Sequence, residues 1–276
     1  EEIELGGYPH FMLKEIMEIP HVLENSARGR TVLKDGAAKF GGLEEHNGLL
    51  RSLERILVVG CGSAYYAGLV GKCLLEDYAR IPTEVAVGSE FRHRPVLTNG
   101  HSALLVVSQS GETADTLASV RTASHAGLPT IGLVNVVGST IARETDMGIY
   151  NHAGPEIGVA STKAFVSQLE LLALFSVYLG RMRGLSEAQG AELLVEIRAL
   201  PLKVQQILDQ HEQIQVLAGE YLGYDDFLFM GRGYNFATAY EGALKLKEVS
   251  YVHAEGYGAG EMKHGPIAMI DELFPT

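Results

Sequence analysis

Short, wholly apolar runs that stop at glycine and hand over to helical periodicity restrict this chain more than any other feature. Ile56-Leu57-Val58-Val59 is such a run; it ends in Gly60-Cys61-Gly62, and apolar residues then return at Tyr66, Leu69, Val70, Cys73 and Leu74, the spacing of one helix face. A strand without polar alternation must be covered on both sides, which a parallel sheet achieves with helices on each face. The alternation continues at Val85-Ala86-Val87, at Ala103 to Val107 followed by a helix from Thr113 to Ala126, at Thr130 to Val134 and at Gly148 to Tyr150. Strands separated in this way by helices predict a doubly wound α/β domain.

The first turn recurs. Phe227-Leu228-Phe229-Met230-Gly231-Arg232-Gly233 copies the strand and Gly-x-Gly of Val58 to Gly62, and a helix through Glu241, Leu244, Lys245 and Glu248 copies the one after Gly62. The chain thus reads as one module used twice. After the second turn there is room for one helix, a loop over His253 to Gly265 and an apolar run at Ile267 to Ile270, so the second sheet is expected to be incomplete. Residues 1–30 predict an N-terminal helical segment, with His10 to Ile19 helical and Pro20 punctuating it before a second short helix. Residues 31–185 predict the first module, closed by a long apolar helix over Thr162 to Leu179; 186–226 predict connecting helices and 227–276 the second module. Ser186-Glu187-Ala188-Gln189 carries a capping-box signature. Pro201 is expected to restart the pattern ahead of a helix over Val204 to Tyr221.

Charge narrows the partners. With 22 basic against 34 acidic side chains and a formal net charge of −12, no cation surplus exists to neutralise a nucleic-acid backbone. A small phosphorylated ligand needs none, because backbone N–H groups can hold it. Cys61 and Cys73 are too few for a disulfide framework and sit among apolar neighbours, which points to a reducing cytoplasm. The most apolar stretch, Ala164 to Leu179, is interrupted by Gln168 and Glu170, and no basic-then-apolar leader opens the chain, so neither membrane span nor signal peptide is expected. The absence of methionine before Glu1 suggests a processed product or an excised piece.

Ser108-Gln109-Ser110-Gly111-Glu112-Thr113 follows the third strand and opens a helix. Its hydroxyls, its glycine and the free N–H groups of a helix N-terminus suit a phosphate ester without any cationic side chain. Ordinary N-capping is the alternative for one hydroxyl, but several donors cluster where ligands of parallel sheets gather. The missing lysine excludes a Walker A loop. Gly60-Cys61-Gly62-Ser63-Ala64-Tyr65 could open a dinucleotide fingerprint with Glu90 as ribose ligand, although Tyr65 replaces the third glycine. Gly154 to Lys163 pairs glycines with dense polar groups ahead of the long helix. Glu241, Lys245 and Glu248 share one helix face; they form either a solvated ion-pair ladder or, if that face meets the crevice, a carboxylate able to move a proton between adjacent carbons. His253 and His264 lack the cysteine pair or second histidine of zinc signatures, so no metal is expected; His264, on a glycine-rich loop, suits acid–base work.

Ser108 to Thr116 (SQSGETADT), Glu156 to Phe165 (EIGVASTKAF), Glu241 to Glu248 (EGALKLKE), the GEMKHGP of Ala254 to Pro266 and the HFMLKEI of His10 to Ile16 together resemble the isomerase part of the glutamine:fructose-6-phosphate amidotransferase family, within the sugar isomerase (SIS) superfamily. The resemblance runs from near Tyr8 to the last residues. It implies two flavodoxin-like SIS subdomains, a homodimer with its active site near the subunit boundary, and no cofactor. By position, Ser108, Gln109, Ser110 and Thr113 would hold the phosphate and Val159 and Ser161 would line the sugar. Glu248 would shuttle the proton between C1 and C2, Lys245 would assist, and His264 from the neighbouring subunit would help open the ring. Ala64 stands where the family usually carries a phosphate-binding serine, and Ser63 is the substitute. The family's glutaminase domain and its C-terminal tail with a Schiff-base lysine have no counterpart here, so this chain is expected to recognise the sugar phosphate without turning it over unaided. Two other readings stay open: a sugar-phosphate sensor of the same fold, and a nicotinamide oxidoreductase using the Gly60 turn.

Overall fold

The computed structural model describes residues 4–98, 100–271 and 273–275; Glu1 and Thr276, the outer bounds of the expected segments, lie outside them. The helices used below are α1 (Phe11–Met17), α2 (Ile19–Ala27), α3 (Ser63–Leu74), α4 (Ala114–His125), α5 (Lys163–Met182), α6 (Glu187–Leu208), α7 (His211–Glu220) and α8 (Tyr234–Ser250). The main sheet contains β1 (Arg55–Gly60), β2 (Thr83–Val87), β3 (Ser102–Ser108), β4 (Thr130–Val134) and β5 (Met147–Tyr150). All pairs are parallel and the spatial order is β2-β1-β3-β4-β5. That is the flavodoxin-like order, in which the winding reverses between β1 and β3.

Strand residues divide by parity, as a two-residue period demands. Ile56, Val58, Leu105, Val107, Ile131 and Leu133 join a core on one face, while Leu57, Val59, Leu104 and Val106 join another on the opposite face. Both parities are apolar, so both faces are covered. α5 supplies Leu171, Leu172, Leu174, Phe175 and Val177 to the first core and packs against α2, α3 and α6. By length and composition alone α5 could cross a membrane, yet most of it is buried inside the fold. It is apolar all round because protein surrounds it.

α6 opens with the expected capping box: Gln189 N–H donates to Ser186 Oγ and the Ser186 N–H donates to Gln189 Oε1. Pro201, expected to restart the pattern, instead sits inside the uninterrupted α6, and the helical break falls at Asp209 and Gln210, before α7. The packing of α6 against α2 and α5 outweighs the one intrahelical bond that proline forfeits.

The second module comprises β6 (Asp226–Gly231), α8 and β7 (His253–Gly258), with β6 and β7 parallel. Its first turn matches the earlier one closely: Gly62 has φ 55° and ψ −130°, Gly233 φ 55° and ψ −124°. Such angles are open to glycine and strained for other residues. One expectation is corrected here: His253 to Gly258 is a strand rather than loop. Pro266 to Met269, in the final apolar run, forms a 3₁₀ helix. The strand is hard to read from sequence because it carries no β-branched residue and is interrupted by Gly256, where α8 lies against it. A Cβ at Gly256 would stand 2.7 Å from Tyr240 Cα, the close approach that glycine in a strand often marks.

Candidate active site

Ligands of open parallel sheets bind outside the carboxyl ends of the strands where the winding reverses, here between β1 and β3. A cavity of about 230 Å³ occupies that place, with Cys61, Gly62, Ser63 and Ala64 on the β1 side and Ser108, Gln109, Ser110 and Thr113 on the β3 side. Val159, Ser161 and Glu248 close its mouth, and Val107, Thr116 and Gln168, all buried, form its floor. Larger clefts of about 520 and 530 Å³ open between helices elsewhere, away from the strand ends.

The β3–α4 loop is a cradle of uncharged donors. Ser108 Oγ accepts from the Gly111 N–H at 3.0 Å and lies 3.4 Å from Thr113 Oγ1. Ser110 Oγ accepts from the Glu112 N–H at 3.1 Å. Thr113 is the N-cap of α4 but makes no side-chain capping bond, which leaves the positive end of that helix available to an anion. Gly111, at φ 65°, is required: a Cβ there would stand 2.0 Å from Ser139 Oγ.

The opposite wall belongs to the second module. Ser63 Oγ donates to Glu241 Oε1 at 2.8 Å and accepts from Lys245 Nζ at 3.1 Å. Lys245 Nζ also donates to Glu248 Oε2 at 2.5 Å and lies 3.4 Å from Glu241 Oε1. Glu241 is 5% exposed; burial pushes its carboxyl above the usual range, and Lys245 opposes the shift. The three residues are therefore no solvated ladder. They join the modules and present Glu248 to the cavity. Ser63 lines the cavity too, but its hydroxyl is engaged by α8 rather than grouped with the cradle donors.

The 154–163 loop is held from within and from the N-terminal helices. Glu156 accepts from Ser161 Oγ at 2.9 Å and from the N–H groups of Thr162 and Ala164 at the start of α5. Buried Glu15 accepts from the N–H groups of Ile157 and Gly158, and Lys163 pairs with Glu18 at 2.6 Å. Val159, 95% exposed, borders the mouth.

The structure thus brings Ser63, Ser108, Gln109, Ser110, Thr113, Val159, Ser161 and Glu248 to one cavity, with Lys245 bonded behind it. His264 is not brought there: it ends an exposed 3₁₀ turn, Glu261–His264. Glu90 is exposed and does not line the cavity either. Sequence reasoning missed Gln168, Glu156 and Glu15 as parts of the site. Glu15 meets residues 157 and 158 only through folding, Glu156 is bonded within its own loop and the start of α5, and nothing local shows that Gln168 faces the cavity.

A doubly wound sheet with a cluster of hydroxyl and amide donors at its switch point, capped by a charged helix from a second copy of the same module, defines an α/β fold with its candidate ligand site at the strand ends. The chain belongs to the SIS domain family, which it matches over residues 49–178 and 225–275. It is 49% identical over its full length to glutamine-fructose-6-phosphate aminotransferase (isomerizing) of Chlorobaculum tepidum and 50% identical to that of Thermus thermophilus, spanning 45% of the length of each. The C-terminal domain of glucosamine-fructose-6-phosphate aminotransferase from Francisella tularensis superposes with a TM-score of 0.94 at 37% identity, over 99% of this chain and 76% of that one.

Proposed function

We propose that this chain is the sugar-phosphate isomerase part of an enzyme that converts fructose 6-phosphate to glucosamine 6-phosphate, using ammonia released from glutamine by a separate glutaminase domain. The carrying observation is the cradle of Ser108, Ser110 and Thr113 at the β1–β3 switch point, facing Glu248 across one cavity. A phosphate held at the α4 N-terminus by hydroxyl and amide donors directs the far end of a hexose toward α8. There Glu248 takes a proton from C1 of the fructosimine and returns it at C2 while the O1 proton passes to the nitrogen, leaving the 2-amino aldose. Lys245, bonded to Glu248 at 2.5 Å, holds the carboxylate in place.

His264 opens the sugar ring in this reading, supplied by a second copy in a homodimer. Its exposure outside its own chain's cavity supports that arrangement. Both cysteines are free thiols, which supports a reducing, cytoplasmic setting.

Calorimetric titration tests the reading. Saturable binding of fructose 6-phosphate and glucosamine 6-phosphate, competed by inorganic phosphate, is expected. Saturable binding of nicotinamide dinucleotides with none of fructose 6-phosphate overturns it.

A further inference from the structure

We propose that the side-chain amide of Gln168 recognises a sugar hydroxyl at the cavity floor; the proposal deepens the sugar-phosphate reading and rests on it. Gln168 lies early in α5 and is 2% exposed. It lines the cavity, and its Oε1 is fully buried with no hydrogen-bond partner among the described residues. The neighbouring polar group is satisfied: Ser167 Oγ accepts from Asn151 Nδ2 at 2.8 Å and donates to the Ala164 carbonyl at 3.1 Å. A lone buried amide oxygen disfavours the free protein, and a donor that reaches it from the cavity would supply the bond it lacks.

The chemistry of that donor follows from position. The cradle on the β3–α4 loop offers donors to an anion, whereas Gln168 approaches from α5 and offers an acceptor. An ionised phosphate has little to give such an oxygen. A hydroxyl both donates and accepts, so it pairs with either end of the amide. The anionic end of the ligand is therefore read by β3–α4, and one of its carbinol groups by Gln168. A site built around a substrate hydroxyl rejects analogues that lack it far more strongly than an apolar wall does.

The test compares wild type with Gln168→Met, which keeps side-chain length and removes the amide. Fructose 6-phosphate, its monodeoxy analogues and inorganic phosphate are titrated by calorimetry, and thermal unfolding is recorded without ligand. The variant is expected to bind fructose 6-phosphate about 10–100-fold more weakly, to bind inorganic phosphate within about twofold of wild type, and to unfold at the same or a higher temperature. One monodeoxy analogue is expected to show the same loss with wild type and no additional loss with the variant, as for partners in a double-mutant cycle. Unchanged fructose 6-phosphate affinity, or equal losses for sugar phosphate and phosphate, overturns the role of Gln168. Wild type that binds neither compound overturns the sugar-phosphate reading itself, and this proposal with it.

Discussion

Glu248 keeps more contact with water than its neighbours on α8: its side chain is 33% exposed, against 19% for Lys245 and 7% for Glu241. In the proposed role Glu248 has to reach the reacting carbons, while Lys245 and Glu241 need only hold it. Glu248→Gln is therefore expected to lower solvent-deuterium incorporation into the sugar phosphate by about 10²–10⁴-fold in the intact enzyme, with fructose 6-phosphate affinity kept within a few-fold. A sensor of the same fold would lose nothing. Gly111→Ala places a Cβ against Ser139 at a positive φ; a cost of about 1–3 kcal/mol in stability and loss of phosphate binding are expected, read by thermal melts and titration. At this scale the cradle was legible, because hydroxyls bunched directly after an apolar strand have few other uses. Gln168 was not legible, since a glutamine inside an apolar helix gives no sign of which side faces a cavity.

Glu15 shows how one element governs another. It sits on α1, yet its carboxylate receives the N–H groups of Ile157 and Gly158 in the loop beside the cavity mouth. Glu15→Ala strands two amides, and a stability loss of about 2–3 kcal/mol is expected. Faster hydrogen exchange confined to residues 156–161 and weaker fructose 6-phosphate binding should accompany it; unchanged exchange there would show that the loop holds itself. Element types were readable wherever the period was unambiguous, as in β1 to β5. They failed at Pro201 and at β7. In each case contacts remote in sequence decided the outcome: α2 and α5 packed along α6, and α8 pressed against Gly256.

At the scale of the whole molecule, one buried carboxyl makes stability depend on pH. Glu170 on α5 is 2% exposed, both its carboxyl oxygens are without hydrogen-bond partners among the described residues, and burial pushes its pKa up to about 8 despite the opposing charge of Arg30. The folded state therefore holds a proton there that the unfolded state releases above its ordinary value of 4.5. This contribution is full below that value and is lost as pH rises through about 8. Glu170→Gln is expected to match wild type near pH 5 and to exceed it at pH 9 by on the order of 2–4 kcal/mol, measured by denaturant melts at the two pH values. A gap that is equal at both would assign Glu170 another role. The two-module plan was visible in the repeated Gly-x-Gly turns. The coupling between the modules was not visible, because Ser63 and Lys245 are joined only by folding.

That joint has a practical consequence. The contacts that join the two halves, Ser63 to Glu241 and Ser63 to Lys245, also fix Lys245, which holds Glu248 at the cavity. Mild urea that loosens this seam should silence the proposed proton transfer while circular dichroism still reports intact helices and strands.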